Sequence, residues 1–490
     1  MHLPSHISHV LVLGGGSAGL LAALTLKRRI PALRVQLVYS SDIGVIGVGE
    51  GTTQLFPKFL FNTLRLKPAQ FYSEVQPTWK LGIRFLWGPR SHFHYSFTRP
   101  IDRRLHGLAK NNGFYCSEDF SSVDPWYALM EYDNALPRGA DGKPDFDGHA
   151  SIAFHLENKK LVSYLDRRCR DFGVEMIDAK VDSVETSERG IEMLVLNDGR
   201  RLTADLFVDA SGFASELLGR ALEVPFHSYA DSLFCNRAVI GGWERTDEPI
   251  RPYTVAETMD AGWAWQIEHE HFINRGYVYS SRFIDDETAR AELLSKNPKI
   301  KEARVVGFRS GRYAAMWKGN VVGIGNASGF VEPLEASALQ VIISQCDLSW
   351  PTPSMIKLYN QFATVNQDEI RDFLAVHYKF NTRLDTPFWK TCQKEISLGG
   401  AEALVEFYRE NGPSALGRSS HLSWNNPYGI EGYLALLIGQ NVPYARRYLP
   451  DAEELRVWRR HIADNIVIAK RGFGVKQALE IIRRPGWTWS

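Results

Sequence analysis

The chain has 490 residues, of which 44% are hydrophobic and 23% are charged, as in a globular protein of two or three domains rather than a disordered one. Its 57 Lys and Arg residues nearly balance 56 Asp and Glu residues, so charge does not favour nucleic acid or an anionic membrane as a partner. A signal-peptide pattern, an apolar run of about 18 residues and a CxxC pair are all missing, which predicts a reduced, cytoplasmic protein without a membrane span or a metal site.

The N-terminal region has the pattern of a dinucleotide-binding fold. An apolar strand at 10–13 leads into Gly14-Gly15-Gly16-Ser17-Ala18-Gly19, and a helical run follows. This is G-x-G-x-x-G in the context that it requires. The glycines make the turn, admit a pyrophosphate and allow close helix packing, so Gly14, Gly16, Ser17, Ala18 and Gly19 are predicted cofactor ligands. A glycine-rich turn without a ligand is the alternative. The next strand, 35–39, lacks the acidic residue that usually holds the ribose.

Three short segments follow. The loop Ile46–Thr53 has glycines around Glu50, which indicates backbone shaped against a ligand, so Gly49 and Glu50 are further cofactor candidates; a surface turn is the alternative. After a helical region at 55–75, residues 79–85 alternate like a half-buried strand that carries Lys80, a residue type that is usually solvated on a strand. His92-Phe93-His94 lies in an aromatic strand-like run. Since no carboxylate or cysteine cluster accompanies these histidines, pocket or core packing is favoured over metal binding.

The middle of the chain is predicted to be mostly strands. A helix is expected over 153–168, then strands over 174–177, 181–186, 191–196, 201–202 and 206–208. Asp209 ends the last strand and is expected either to hold a ribose or ribityl hydroxyl or to cap a helix. Between 226 and 310 the period is two, which predicts an antiparallel sheet as a pocket wall. Trp263 and Trp265 lie on one face of their strand.

Residues 319–339, GNVVGIGNASGFVEPLEASAL, predict a second cofactor turn. A strand at 321–324 breaks at Gly325, and a helix is expected after Pro333. Glycines let the backbone approach a ligand, and a helix N-terminus attracts an anion. Glu332, Glu335 and Ser337 lie at this point. Beyond 350 the pattern is helical, with helices expected at 355–362, 367–378, 401–410, 433–438 and 451–470.

Taken together, these motifs resemble the flavin-dependent tryptophan halogenase family. The matching stretches are GGGSAG at 14–19, VGEGTT at 48–53, Lys80, DASGF at 209–213, WAWQI at 263–267, GYVYS at 276–280, GFVEPLEAS at 329–337 and HYKFNTRLDTPFW at 377–389. The resemblance implies an α/β fold: a Rossmann-like FAD domain of the aromatic-hydroxylase and halogenase type (1–225 and 300–350), an antiparallel substrate sheet (226–299) and a helical C-terminal cap (351–490).

The resemblance also implies the chemistry. FADH2 from a separate reductase, O2 and chloride or bromide would yield hypohalous acid, which travels through a tunnel to an electron-rich aromatic ring. Lys80 would receive or hydrogen-bond the halogen, and Glu335 would help to remove the ring proton. Further residues are assigned by the resemblance alone: Gly325, Gly329 and Phe330 to the cofactor, Ser337 and Ala338 to the halide, and His92, Phe93, His94, Trp263, Trp265 and Pro333 to the tunnel and substrate.

Departures from the family pattern bear on the substrate. Glu268 replaces the proline of W-x-W-x-I-P, and Ala336-Ser337-Ala338 replaces Ser-Thr-Gly, so Ala338 removes a glycine's freedom at the halide position. The Tyr-Tyr pair of enzymes that grip free tryptophan is missing, which favours an open pocket for indole or a similar ring. An aromatic hydroxylase of the same fold and a flavin-binding protein with decayed chemistry are the alternatives. A homodimer is left open.

Overall fold

The computed structural model describes residues 7–44, 49–98, 108, 120–139, 141–145, 152–346, 352–417 and 421–484. The chain forms two compact units, each assembled from three segments. Unit 1 comprises residues 1–76, 156–230 and 308–368, and unit 2 comprises residues 77–155, 231–307 and 369–490. The architecture is α/β, as the sequence predicts, because sheets and helices alternate along the chain. The division into an FAD domain, a substrate sheet and a helical cap stays a prediction.

Unit 1 is built on a largely parallel sheet whose central strands are buried and apolar, as expected for strands covered on both faces. Leu13 pairs with Asp209, and Asp209 pairs with Gly323. The turns after these three strands therefore lie side by side at the carboxyl edge, where open α/β sheets bind ligands. In spatial order the strands are Trp317–Lys318, Val321–Gly323, Leu206–Asp209, His9–Leu13, Arg34–Tyr39 and Glu175–Asp178, and only the first pairing is antiparallel.

Smaller sheets and helices complete unit 1. One antiparallel sheet contains Val181–Ser187, Gly190–Leu196 and Arg201–Leu202, and another contains Phe226–Ser228, Gly311–Tyr313 and Gly329–Phe330. The α-helices are Ser17–Arg29, Leu55–Lys58, Pro68–Glu74, Asn158–Asp171 and Ala338–Gln345. Short π-helical turns span Phe59–Thr63 and Glu216–Ala221, and 3-10 turns span Gly212–Ala214, Gly325–Ala327 and Pro333–Glu335.

Unit 2 contains the sheet that the period-two pattern predicts. In spatial order its strands are Arg304–Gly307, Arg237–Glu244, Phe272–Tyr279, Gly262–Glu268, Tyr253–Met259, Gly82–Leu86 and Phe93–Ser96. All pairings are antiparallel except that of Tyr253–Met259 with Gly82–Leu86. Thr78–Lys80 forms a separate antiparallel pair with Ala153–Glu157. The antiparallel prediction for 226–310 is confirmed.

The remaining helices are Pro125–Glu131, Asp286–Lys296, Pro353–Phe380, Pro387–Glu395, Glu402–Asn411, Gly429–Gly439, Ala452–Lys470 and Val475–Ile482, with a 3-10 turn at Gly399–Ala401. The two helices expected at 355–362 and 367–378 are one continuous helix. The helix expected over 153–168 is wrong at its start, because 153–157 is a buried strand held by pairing with Thr78–Lys80. In the part of the chain that the structure describes, no helix is long and apolar enough to cross a membrane.

Candidate active site

The Gly14–Gly19 turn packs tightly against the turn after the neighbouring strand. Gly14 has a φ of +127°, and a Cβ there would lie 2.2 Å from the carbonyl oxygen of Ala210. A Cβ on Gly19 would lie 1.9 Å from the carbonyl oxygen of Gly14. Both positions therefore require glycine for the fold itself.

Gly16, in contrast, faces open space. A Cβ at this position would have no heavy atom within 4 Å. Gly16 precedes the helix Ser17–Arg29, which has no side-chain cap, so the first N–H groups of the helix remain available to an anion. The hydroxyl of Ser17 is buried and has no hydrogen-bond partner among the described residues. These groups fit the pyrophosphate of FAD, which would accept their hydrogen bonds.

The Gly325 turn lies against this cradle and forms a small pocket. A Cβ on Gly325 would lie 3.0 Å from the Cβ of Ala18, and Gly325 has a φ of +61°. The pocket brings together residues predicted separately for the cofactor and the halide. Its lining includes Gly325, Gly329, Phe330, Ser337, Ala338 and Gln367. Gln367 is not predicted from the sequence, since a glutamine within a long helix gives no signal of its own.

The segment after Pro333 differs from its prediction. A 3-10 turn spans Pro333–Glu335, and the α-helix begins only at Ala338. Ala336 separates the two because its φ of 55° is left-handed and cannot continue a helix. The unusual backbone therefore falls on Ala336, whereas Ala338 lies in the helix and requires no glycine. Glu332 and Glu335 are both buried.

Asp209 serves the local fold. One carboxylate oxygen accepts hydrogen bonds from the backbone N–H groups of Leu217 and Leu218, each at 2.8 Å. The other accepts from the N–H and the hydroxyl of Ser211. Burial raises the pKa of Asp209, and these hydrogen bonds oppose that shift. The helix-capping alternative thus describes its contacts, and a contact with the cofactor stays a prediction.

Glu50 lies on the short strand Gly49–Gly51. Its carboxylate accepts a hydrogen bond of 3.1 Å from the side-chain amide of Asn158. Burial raises the pKa of Glu50 to about 7 despite this bond, so its charge changes in the physiological range. Residues 46–48 of the predicted loop lie outside the described residues.

Lys80 ends a strand in unit 2 and is fully buried. The single alternating strand expected over 79–85 is wrong, because Leu81 interrupts it between Thr78–Lys80 and Gly82–Leu86. The Lys80 Nζ lies 5.1 Å from the centroid of the Phe97 ring. Burial excludes the alternative of a solvated lysine on an exposed strand face.

His155 is a neighbour of Lys80 that the sequence analysis did not select. Thr78 pairs with His155, and Lys80 pairs with Ala153, so these side chains share one face of the strand pair. The His155 Nε2 lies 2.8 Å from the hydroxyl oxygen of Thr254. Burial, and then the charge of Lys80, lowers the pKa of His155 well below its usual value. Because a helix is expected over this segment, the sequence does not predict that His155 and Lys80 share a face.

Trp263 and Trp265 form a buried aromatic pair with ring centroids 6.1 Å apart. Their strand places Trp265 opposite Gly276, where a Cβ would lie 2.1 Å from the indole ring. The Trp265 Nε1 donates a 2.7 Å hydrogen bond to the side chain of Asn274. Gly276 leaves room for the ring and Asn274 accepts its N–H, so the Trp265 ring is held in one position.

Glu268, which stands in place of the family's proline, forms a buried ion pair with Arg245. The Gln266 amide donates a 2.8 Å hydrogen bond to the second carboxylate oxygen. Arg245 also donates to the carbonyl oxygen of His269 at 3.0 Å. This departure therefore ties the end of the tryptophan strand to an adjacent loop.

His92 and His94 meet a carboxylate, contrary to the expectation from sequence. The Glu131 Oε2 lies 2.9 Å from the His92 Nε2 and 3.4 Å from the His94 Nδ1. The Arg84 Nε donates a 2.8 Å hydrogen bond to the His94 Nε2, and burial lowers the pKa of His94 well below its usual value. Because its Nε2 accepts from Arg84, the neutral ring carries its proton on Nδ1, the atom that lies 3.4 Å from Glu131.

Phe93, between the two histidines, is buried. Its ring stacks on Phe85, with centroids 5.1 Å apart, and a Cβ on Gly439 would lie 2.4 Å from it. Lys80 and the aromatic candidates belong to unit 2, whereas Glu335, Pro333 and the halide candidates belong to unit 1. The tunnel roles and the pairing of Lys80 with Glu335 stay predictions.

Comparison with known proteins identifies the family. The family model described as tryptophan halogenase matches residues 9–454. The chain belongs to the tryptophan halogenase family. Among curated relatives, tryptophan 7-halogenase RebH of Lentzea aerocolonigenes is 30% identical over 442 residues, which cover 82% of each chain. Among solved structures, MibH, a lathipeptide tryptophan 5-halogenase, is 38% identical with a TM-score of 0.89, covering 98% of this chain and 94% of MibH. BrvH, a flavin-dependent halogenase from Brevundimonas sp. BAL3, is 26% identical with a TM-score of 0.85, covering 97% and 99%.

Family membership settles the class of reaction. The chain is a flavin-dependent halogenase that acts on an aromatic substrate, and halogenation rather than hydroxylation is the supported activity. Enzymes of this family use FADH2, O2 and halide, and they need a separate flavin reductase. The open space at Gly16 and the Ser17 hydroxyl, which is unpaired among the described residues, fit a flavin nucleotide, and their role in binding it stays a prediction.

Proposed function

We propose that this tryptophan halogenase relative halogenates an indole ring, with Lys80 handling the halogen and Glu335 removing the ring proton. The complete burial of Lys80 carries the proposal. Burying a charged amine costs free energy. The Lys80 Nζ lies over the Phe97 ring, in a family that halogenates aromatic substrates.

Bound FAD, reduced by the separate reductase, supplies with O2 the oxidising power that converts halide into hypohalous acid. The Lys80 ammonium then donates a hydrogen bond to the oxygen of the acid, which makes the halogen more electrophilic. The ring carbon bonds the halogen as the halogen–oxygen bond breaks. Lys80 supplies a proton to the departing hydroxide, which leaves as water, and the Glu335 carboxylate accepts the ring proton.

The flavin side of the proposal rests on unit 1. The helix N-terminus at Ser17 binds the pyrophosphate, the strand Gly49–Gly51 and the Gly325–Phe330 segment approach the flavin, and the backbone at Ser337 and Ala338 holds the halide. Pro333, Trp263, Trp265 and the His92–His94 run separate the two half-reactions and orient the ring.

An indole that is not gripped through an amino-acid carboxylate is the substrate that we favour. A tryptophan side chain within a peptide is a second candidate, because the structure of a lathipeptide tryptophan halogenase is 38% identical to this chain, compared with 30% for tryptophan 7-halogenase RebH. We place the reaction in the cytoplasm, since Cys169, Cys235, Cys346 and Cys392 are buried thiols that form no disulfide in the described part of the chain. A homodimer is the proposed assembly.

Product analysis tests the proposal. Indole, free tryptophan and an internal-tryptophan peptide are incubated with FAD, a reductase, NADH and bromide, and products are identified by mass spectrometry. We expect halogenated indole or peptide, and at least a 100-fold lower rate for Lys80→Ala. The control is Lys143→Ala, because the Lys143 side chain is 78% exposed in the same unit.

Glu335→Gln is expected to slow halogenation about 100-fold, the usual contribution of a general base, while FAD binding is retained. Glu216→Gln, at an exposed glutamate of unit 1, is the control. Halogenated product at the wild-type rate in Lys80→Ala would remove the lysine from the mechanism, and full activity in Glu335→Gln would remove the base.

A further inference from the structure

The small pocket of unit 1 contains a polar group that the family chemistry has not assigned. It is lined by the Gly325 turn, by Ser337 and Ala338 at the start of the helix Ala338–Gln345, and by Gln367 from the helix Pro353–Phe380. The side chain of Gln367 is 2% exposed. Its amide therefore faces the pocket rather than bulk solvent.

One polar atom of the Gln367 side chain is unpaired in the described part of the chain. Its Oε1 has no hydrogen-bond partner among the described residues. A buried polar group left in this state is destabilising, so such a group indicates a ligand. A half-turn of the amide exchanges its oxygen for its NH2 group, so the same position can offer either an acceptor or two donors.

Asn326 and Ser337 are the other polar side chains that line the pocket among the described residues, and both can donate a hydrogen bond. Ser337 precedes the helix Ala338–Gln345 and makes no side-chain cap bond, so its hydroxyl and the first N–H groups of the helix remain available. The positive end of the helix dipole favours an anion here. Among the described residues, those that line the pocket include no acidic or basic side chain, so a monovalent ion suits the site better than a phosphate.

We propose that the Gln367 amide is a ligand of the halide ion in this pocket, donating an N–H to the ion opposite the first turn of the helix. This inference rests on the proposed placement of the halide at Ser337 and Ala338. Gln367 comes from a separate helix, and its neutral amide adds one hydrogen bond to the ion. Its presence therefore raises the affinity for halide. It lies outside the motif by which the family is recognised.

Chloride-35 NMR line broadening on the FAD-loaded enzyme tests the proposal without turnover. Chloride is titrated and bromide is used to displace it. Gln367→Leu should weaken chloride binding about 10- to 100-fold, the effect of one hydrogen bond to a charged group. Gln361→Leu is the matched control, since Gln361 is exposed on the same helix, and it should bind chloride like the wild type.

Gln367→Glu provides a second variant of the same shape, in which the carboxylate repels the anion, so chloride binding should weaken at least as much. It decides the question if Gln367→Leu does not fold. Wild-type chloride affinity in a folded Gln367 variant would overturn the inference.

Ser337→Ala distinguishes the role of Gln367 from the proposed placement of the halide at Ser337 and Ala338. If Ser337→Ala weakens chloride binding and the Gln367 variants do not, only the role of Gln367 is wrong. If saturable chloride binding is unchanged in all three variants, the halide is bound elsewhere and its proposed placement is wrong as well.

Discussion

Gly16→Ala should weaken binding of the cofactor without destabilising the fold. The residue has a φ of −79°, and an added Cβ has no heavy atom within 4 Å, so the fold accepts the methyl group. Restricting the unfolded chain stabilises the variant by about 0.4–1 kcal/mol. The same methyl group stands where FAD pyrophosphate would approach the helix. Loss of one hydrogen bond to a charged group corresponds to about 10- to 150-fold weaker FAD binding.

The assays are FAD fluorescence titration and urea unfolding of the same protein preparations. Gly14→Ala should instead lower the unfolding midpoint, because its Cβ would lie 2.2 Å from a backbone oxygen. Gly307→Ala is the control, since its Cβ would also meet nothing within 4 Å and it lies in unit 2. Wild-type FAD affinity in Gly16→Ala would refute the assignment of this turn to the pyrophosphate.

Three further predictions concern stability, and urea titrations at several pH values check them. His94 and His155 stay neutral in the fold because burial holds each pKa well below its usual value. Below about pH 6.5 the unfolded chain gains these protons and the fold does not, so both histidines lower stability as the pH decreases. His155→Phe should reduce this slope by about 1.4 kcal/mol per pH unit. An unchanged slope would contradict this. Glu50 has a pKa of about 7 in the fold against 4.5 in the unfolded chain, so its own contribution to stability falls by about 1.4 kcal/mol per pH unit between these values and opposes that of the histidines. Glu50→Gln should therefore make stability rise more steeply with pH over this range, and an unchanged slope would refute the assignment. Glu268→Ala leaves Arg245 buried without its partner and should cost about 3–5 kcal/mol, whereas Asp198→Ala, at an exposed pair, should leave the midpoint unchanged; equal effects would contradict the account.

The strands of the parallel sheet were predictable because a buried apolar run bounded by glycines is typical of a strand covered on both faces. The pairing of Leu13 with Asp209 and of Asp209 with Gly323 explains why motifs far apart in sequence serve one edge. Local pattern failed at 153–168, where the strand that contains His155 is stabilised by a partner distant in sequence. It also failed at Leu81, since periodicity alone does not show that a chain changes from one sheet to another.

The site was predictable where a motif constrains the backbone and not where tertiary packing supplies the group. Gly14 and Gly19 have the close backbone contacts that their spacing predicts, and Gly16 has open space beside it. Gln367 and Glu131 come from helices with no motif, so only the fold brings them to the pocket and to the histidines. The special backbone conformation expected at Ala338 occurs instead at Ala336, which has a left-handed φ, because the helix starts later than the sequence indicates.

The most direct test of the central claim follows the fate of both oxygen and halide. Wild-type enzyme, FAD, a reductase, NADH and indole are incubated with oxygen-18 gas, with and without bromide, and the products are weighed by mass spectrometry. We expect bromoindole that contains no oxygen-18, and no product without bromide. An indole that carries oxygen-18, formed equally well with or without bromide, would contradict it.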